Sequence, residues 1–306
     1  MARMIRRLAT LVCCGLLLAG GGSALLAGPS AAAAPAAVDD WTHDWEVVQL
    51  MRSQPATSVV VYYVGDSTAR ESVVDDAQWT TQLRERAEAA GKVPSAVAYS
   101  LTAHSQTFGM DGQLIRALPA TSEGVARGIV VIGVELTRFI GPPLTQPAAA
   151  VTPPAPGEPP VLSPWARHKY AGRSPLSLAH KRALVPRWME RHWKGFVDNR
   201  SANLAAIARL VDACRDKGLR PVLLDLPFDL AVAGHGLDRP RESYRAACRR
   251  LASRRHVPYL AYERPLRVPS AWFWDLMHLL PPGGERWQSL LTDELVRLLP
   301  KDQPVT

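Results

Sequence analysis

Four stretches of this chain are apolar at successive positions, so as extended strands they are greasy on both faces. They are TSVVVYYVG at Thr57–Gly65, PSAVAYSLT at Pro94–Thr102, RGIVVIGVEL at Arg127–Leu136 and RPVLLDLP at Arg220–Pro227. Strands buried on both faces belong to parallel sheets covered by helices on either side, because the crossover connections place those helices there. The segments between them fit. Asp75–Ala90 carries Trp79, Leu83 and Ala87 at helical spacing before Gly91, and Phe108–Leu118 ends at Pro119. A long helix is predicted from about Val185 to Lys217, another over Arg239–Arg254, a short strand VPYLAY at Val257–Tyr262 and a last helix over Gly284–Leu299. The expectation is one three-layer α/β domain over about residues 40–300, built on a five-stranded parallel sheet.

Composition narrows the class. Of 306 residues, 47% are apolar and 21% charged, a balance that a disordered chain does not have. Four cysteines are too few for a disulfide framework, and one apolar stretch alone exceeds about 18 residues, which excludes a multi-pass membrane protein. That stretch, Leu8–Ala27, follows Arg3, Arg6 and Arg7 and precedes SAAAAPAA, so residues 1–37 read as a signal peptide cleaved near Ala36. The alternative is a retained anchor helix; either way the body leaves the cytoplasm. Cleavage removes three arginines and no acid, taking the formal charge from +8 to +5. Cys214 and Cys248 survive it, either bridged or as two buried thiols.

Between the third strand and the long helix, residues 141–164 are too proline-rich for regular structure and are expected to form a loop or lid inserted in the domain. Trp165–Lys194 then holds eight Lys or Arg and one acid, with His168, His180 and His192. It reads as a solvated helix face or as a basic rim for an anionic substrate or surface polymer.

Ligands of open parallel sheets bind beyond the carboxyl ends of the strands. There, Gly65-Asp66-Ser67 brings a serine into a turn entering a helix, whose free N–H groups suit a developing oxyanion. Near the other end of the chain, Asp275-Leu276-Met277-His278 spaces a carboxylate and an imidazole by three, which puts both on one side of a helical turn. A serine hydroxyl becomes a useful nucleophile when a base takes its proton, and histidine has the pKa for it. Ser67, His278 and Asp275 are therefore a candidate triad.

With VYYVGDSTARES at one end and FWDLMHLLPPGGERWQSLL at the other, the chain resembles the SGNH, or GDSL-like, hydrolase superfamily. The resemblance implies a flavodoxin-like three-layer fold, Ser67 as nucleophile and oxyanion donor, His278 as general base and Asp275 as its orienting partner, with Asp66 structural. It also implies a Gly and an Asn donor after the second and third strands. Here the second strand is followed by Ala103-His104-Ser105-Gln106, which leaves Ser105 or Gln106 for the first donor. After the third, Gly133 is kept but Glu135 stands where Asn is expected. An ionised carboxylate cannot donate a hydrogen bond. Glu135 is expected to turn away, to be protonated, or to hold Arg70 or Arg138.

The function expected is an exported serine esterase cutting acyl or acetyl esters through an acyl-enzyme. Two alternatives stand beside it. One is an O-acyltransferase or deacylase on a cell-surface glycopolymer, since departed versions of the fold resemble exported proteins of alginate acetylation and teichoic acid D-alanylation; the other is a catalytically silent binder of anionic glycan. His104 approaches the site or is structural, and Trp272, Phe273 and Trp274 wall a pocket or fill the core. The partner is an acylated small molecule or cell-surface polysaccharide, not nucleic acid, and a membrane if the N-terminal segment is retained. With no zinc-type Cys/His spacing and no phosphate loop, no metal and no cofactor is expected.

Overall fold

The apolar runs are strands because each supplies two cores at once. Val60–Gly65 (β1) is buried at every position. Val60, Tyr62 and Val64 enter one core, while Val61 and Tyr63 enter the other. Val97–Thr102 (β2), Ile129–Val134 (β3), Arg220–Asp225 (β4) and Tyr259–Leu260 (β5) complete the sheet. All pairings are parallel, in the order β2-β1-β3-β4-β5. That order is the flavodoxin-like one, and it reverses direction between β1 and β3, the place at the carboxyl ends where open α/β sheets bind their ligands. The computed structural model describes residues 38–53, 59–92, 95–120, 128–151, 162–163, 169–262 and 268–301. Residues 35–306 form one unit; the signal peptide read over residues 1–37 lies outside the described residues.

The helices sort by face. Asp40–Ser53 (α1), Phe108–Ala117 (α4), Leu178–Asp216 (α5) and Asp238–Arg254 (α7) bury apolar stripes in the first core. Asp76–Ala89 (α3) and Pro281–Leu298 (α8) cover the other, through Trp79, Leu83 and Ala87 and through Trp287, Leu291 and Leu295. Two single-turn helices, Ser67–Arg70 (α2) and Leu230–Ala233 (α6), follow β1 and β4. The starts of α3 and α4 are capped by side chains: Asp75 accepts from the Gln78 N–H (2.7 Å) and Thr107 from that of Met110 (3.3 Å). Among the described residues no helix is long and apolar enough to cross a membrane.

Several boundaries differ from expectation. The long helix begins at Leu178 rather than Val185, so Pro186 lies inside it. Proline favours the first turn, which placed the predicted start beside it. The helix forms earlier because Ser177 caps it, accepting from the His180 N–H (3.2 Å), and because the added turns are anchored by Lys181, which is fully buried rather than part of a basic rim. The last strand has two residues, not six, and the last helix starts on Pro281-Pro282. Cys214 and Cys248 are two buried free thiols. Of the proline-rich insert, residues 141–151 and 162–163 are described and have no regular structure. Ser163 binds Glu46 through its N–H (2.9 Å) and hydroxyl (2.7 Å), and Pro147 accepts from the Trp41 indole (2.9 Å), so both pieces are tied to α1.

Candidate active site

At the end of β1 the chain turns sharply into α2. Asp66 is extended (φ −89°) and caps the turn, its carboxylate accepting from the Thr68 N–H at 3.1 Å, which leaves Ser67 as the first helical residue. Gly65 is needed for close approach rather than for its dihedral freedom: a Cβ there would stand 2.4 Å from the Ala69 Cβ. The hydroxyl of Ser67 is thereby fixed at the carboxyl edge of the central strand.

Asp275 and His278 lie on a tight loop and not, as their spacing predicts, on a helical turn. Phe273 and Leu279 form an antiparallel bridge at its base, and the Trp274 N–H donates to the His278 carbonyl (2.8 Å). Inside it one Asp275 oxygen accepts from the N–H groups of Met277 (2.8 Å) and His278 (2.9 Å). Short-range capping of this kind is what aspartate does in turns, and here it outcompetes the helix. The other oxygen accepts from His278 Nδ1 (2.9 Å). With Nδ1 carrying the proton, Nε2 is the bare acceptor, and it receives the Ser67 hydroxyl at 2.9 Å. Burial alone would lower the pKa of His278. The hydrogen bond and charge of Asp275, with Asp66 and Glu71 behind them, outweigh it and hold the imidazole above its ordinary value. Asp275 is buried too, yet its bonds from His278 and the backbone keep it below the usual carboxylate range.

The expected oxyanion donors fare differently. Ser105 adopts φ +62°, a left-handed conformation that glycine takes without strain, at the turn after β2. Gln106 is buried and its donors are spent: the N–H on Ala103 (3.1 Å), the amide on the Leu101 carbonyl and Asp111 (both 2.8 Å). It is therefore corrected from donor to strut. Gly133 is a strand residue whose carbonyl accepts from the Arg138 guanidinium. Glu135 is buried and turns into the following 3-10 turn, Thr137–Phe139, accepting from the N–H groups of Thr137 (2.6 Å) and Arg138 (2.9 Å). Burial, then the charge of Asp66, pushes its pKa well up. The guanidiniums proposed as its partners go elsewhere: Arg138 binds Asp111 (2.6 Å) and Arg70 binds Asp40 (3.0 Å).

Around the mouth, His104 stands 3.8 Å from Glu71 and 3.9 Å from Asp40, too far for hydrogen bonds. Burial and then Lys169 lower its pKa. Phe273 is core, whereas Trp274 stacks on Tyr170 at 4.4 Å, and the Tyr170 ring lies 5.1 Å from His278. Tyr170 and Glu71 went unnoticed in the sequence; Glu71 had a detectable signal, standing four residues after Ser67 and so on the same side of a helical turn. The remaining basic residues divide: Arg182, Arg187, Arg191 and Lys194 are exposed on α5. Among the described residues no group of three or more acids, histidines or cysteines is arranged to hold a metal.

No family model and no curated protein sequence matches the chain. Solved structures are similar in fold at low identity. A GDSL-like lipase from Bacteroides thetaiotaomicron is 10% identical over 85% of this chain and 100% of its own, with a TM-score of 0.43. The lipase/acylhydrolase of Enterococcus faecalis is 10% identical over 80% and 99%, TM-score 0.41. A lipase from a goat rumen metagenome is 9% identical over 76% and 96%, TM-score 0.45. At identities this low the likeness is one of fold: the chain is similar to GDSL-like lipases and acylhydrolases.

Proposed function

We propose that this protein is an exported serine ester hydrolase of the SGNH kind. One observation carries the reading: a continuous line of hydrogen bonds from Ser67 Oγ through both nitrogens of His278 to Asp275, each 2.9 Å long. Serine oxygen attacks the ester carbonyl carbon as its proton passes to His278 Nε2. The tetrahedral intermediate collapses to an acyl-serine, and the alcohol leaves with the proton from His278. Water, deprotonated by the same nitrogen, then attacks the acyl-serine and releases the acid, returning the proton to Ser67. The backbone N–H groups of Ser67 and Ser105 are the proposed oxyanion donors.

The geometry supports hydrolysis and transfer to a sugar hydroxyl equally, since both share the acyl-enzyme; product analysis with and without added glycan separates them. Glu135, the residue that motivated a silent glycan-binding protein, has its oxygens engaged by Thr137 and Arg138.

The test is labelling of the mature protein with a fluorophosphonate, read by mass spectrometry. The expected result is a single adduct on Ser67 that is absent in Ser67→Ala and His278→Ala. A folded parent protein that takes no label overturns the reading. Export is tested separately, by amino-terminal sequencing of protein recovered from the medium, with a start at Ala37 expected.

A further inference from the structure

The loop bearing Asp275 and His278 is held from outside by a buried cation. Lys181, on the first turns of α5, is 0% exposed. Its ammonium donates to the carbonyls of Ser270 (2.6 Å) and Phe273 (2.8 Å) and to the Asp229 carboxylate (3.1 Å), so all three N–H bonds are used. Asp229 completes the arrangement. Its other oxygen accepts from the Ser270 hydroxyl (2.7 Å), and its own N–H donates to the Leu276 carbonyl (2.8 Å). Just before α5, the Leu176 N–H donates to the Trp274 carbonyl (2.9 Å). Residues 270, 273, 274 and 276 are thus fixed by bonds to the start of α5, the segment just before it and the loop after β4, and Asp275 lies among them.

We infer that Lys181 is a positioning residue, which with Asp229 sets the placement of the Asp275–His278 loop against Ser67. The inference rests on the hydrolase reading. A buried ion pair contributes little net stability, because desolvation of two charges offsets their attraction. What it supplies here is geometry: Ser67 sits on β1 and α2, His278 on a separate loop, and one 2.9 Å hydrogen bond joins them. A misplacement of about 1 Å at such a contact costs about 100-fold in rate.

The experiment compares the parent with Lys181→Met and with Lys181→Met/Asp229→Asn. It uses turnover of p-nitrophenyl acetate and NMR titration of the His278 ring. Methionine keeps the volume, and the double variant removes the stranded carboxylate, so it remains informative where the single one folds poorly. The expected result is kcat lower by about 10–100-fold with KM within about twofold, and His278 titrating at lower pH. The sign matters. Loss of a nearby ammonium would by itself raise the pKa of His278, whereas slack between it and Asp275 lowers it; the other groups facing the ring, Asp66, Glu71, Tyr170 and His104, are unchanged. Parent-like kcat and titration in a folded variant, or a change in KM alone, overturn the inference. If the parent turns over no ester, the hydrolase reading fails, and the titration still decides whether Lys181 holds the loop.

Discussion

Buried Glu135, the residue after β3, neighbours Asp66, the residue before Ser67: burial first, and then the Asp66 charge, push the Glu135 pKa well above its ordinary value. Both effects favour the neutral form of Glu135. Its oxygens meanwhile accept from the 3-10 turn, through the N–H groups of Thr137 and Arg138. A carboxyl held neutral at this position would present no negative charge to an oxyanion.

The pair predicts a pH-dependent stability. A carboxyl whose folded pKa is raised contributes fully below its unfolded value and loses that contribution as pH rises through the folded one. Glu135→Gln removes the titration but turns an amide NH2 toward a backbone N–H, costing about 1 kcal/mol. The variant should therefore melt below the parent at pH 4, and the gap should shrink as pH rises above about 4.5. Thermal melts from pH 4 to 8 check this; a constant gap means Glu135 is ionised throughout.

Asp275→Asn addresses the base. His278 acts while neutral, so kcat/KM should rise with pH along a limb above the ordinary histidine value of about 6.5. Asparagine keeps the shape but removes the charge and favours the wrong tautomer, so kcat should fall by at least about 100-fold. With burial then opposed only by the Asp66 and Glu71 charges, the limb should move to lower pH. A pH–rate profile of both proteins decides it; a limb that stays in place assigns it to another group.

Much of this was legible from the chain. The doubly apolar runs specify a parallel sheet because few other architectures bury both faces, and Gly-Asp-Ser after such a run marks a serine at a strand end. Asp275 and His278 do pair, but not on the helical turn their spacing predicts, since capping of Met277 and His278 by Asp275 leaves no helix there. Lys181 was illegible: one lysine in a run of basic residues carries no sign that its ammonium meets Asp229, 48 positions away, in the core. Gln106 misled for a similar reason. Its amide is used by Asp111, and that pairing exists only once α4 packs on the sheet.

Gly65→Ala tests the nucleophile turn. The added methyl would sit 2.4 Å from the Ala69 Cβ, and neither atom can swing aside because both belong to the backbone framework. Either β1 and α2 separate, at about 1–3 kcal/mol, or Ser67 shifts from His278. Denaturant melts and fluorophosphonate labelling rates together should show loss of both stability and reactivity. Unchanged labelling would mean the turn tolerates the displacement.

Beneath the site, Arg138 and Asp111 form an ion pair with both side chains 0% exposed, and the guanidinium also lies 3.9 Å from the Phe108 ring centroid. Asp111 is a carboxyl that burial pushes up and Arg138 pulls back. Removing the arginine leaves that carboxyl with Gln106 alone, so Arg138→Met should destabilise the fold by about 3–5 kcal/mol at pH 7. Because a raised carboxyl pKa stabilises toward low pH and is lost as pH climbs, the deficit should lessen near pH 4. Arg138→Met/Asp111→Asn should recover most of it at every pH, since neither charge is then stranded. Urea melts of the three proteins at pH 4 and 7 measure the terms; a double variant no better than the single one would show that the arginine's packing on Phe108, and not its charge, holds this region together.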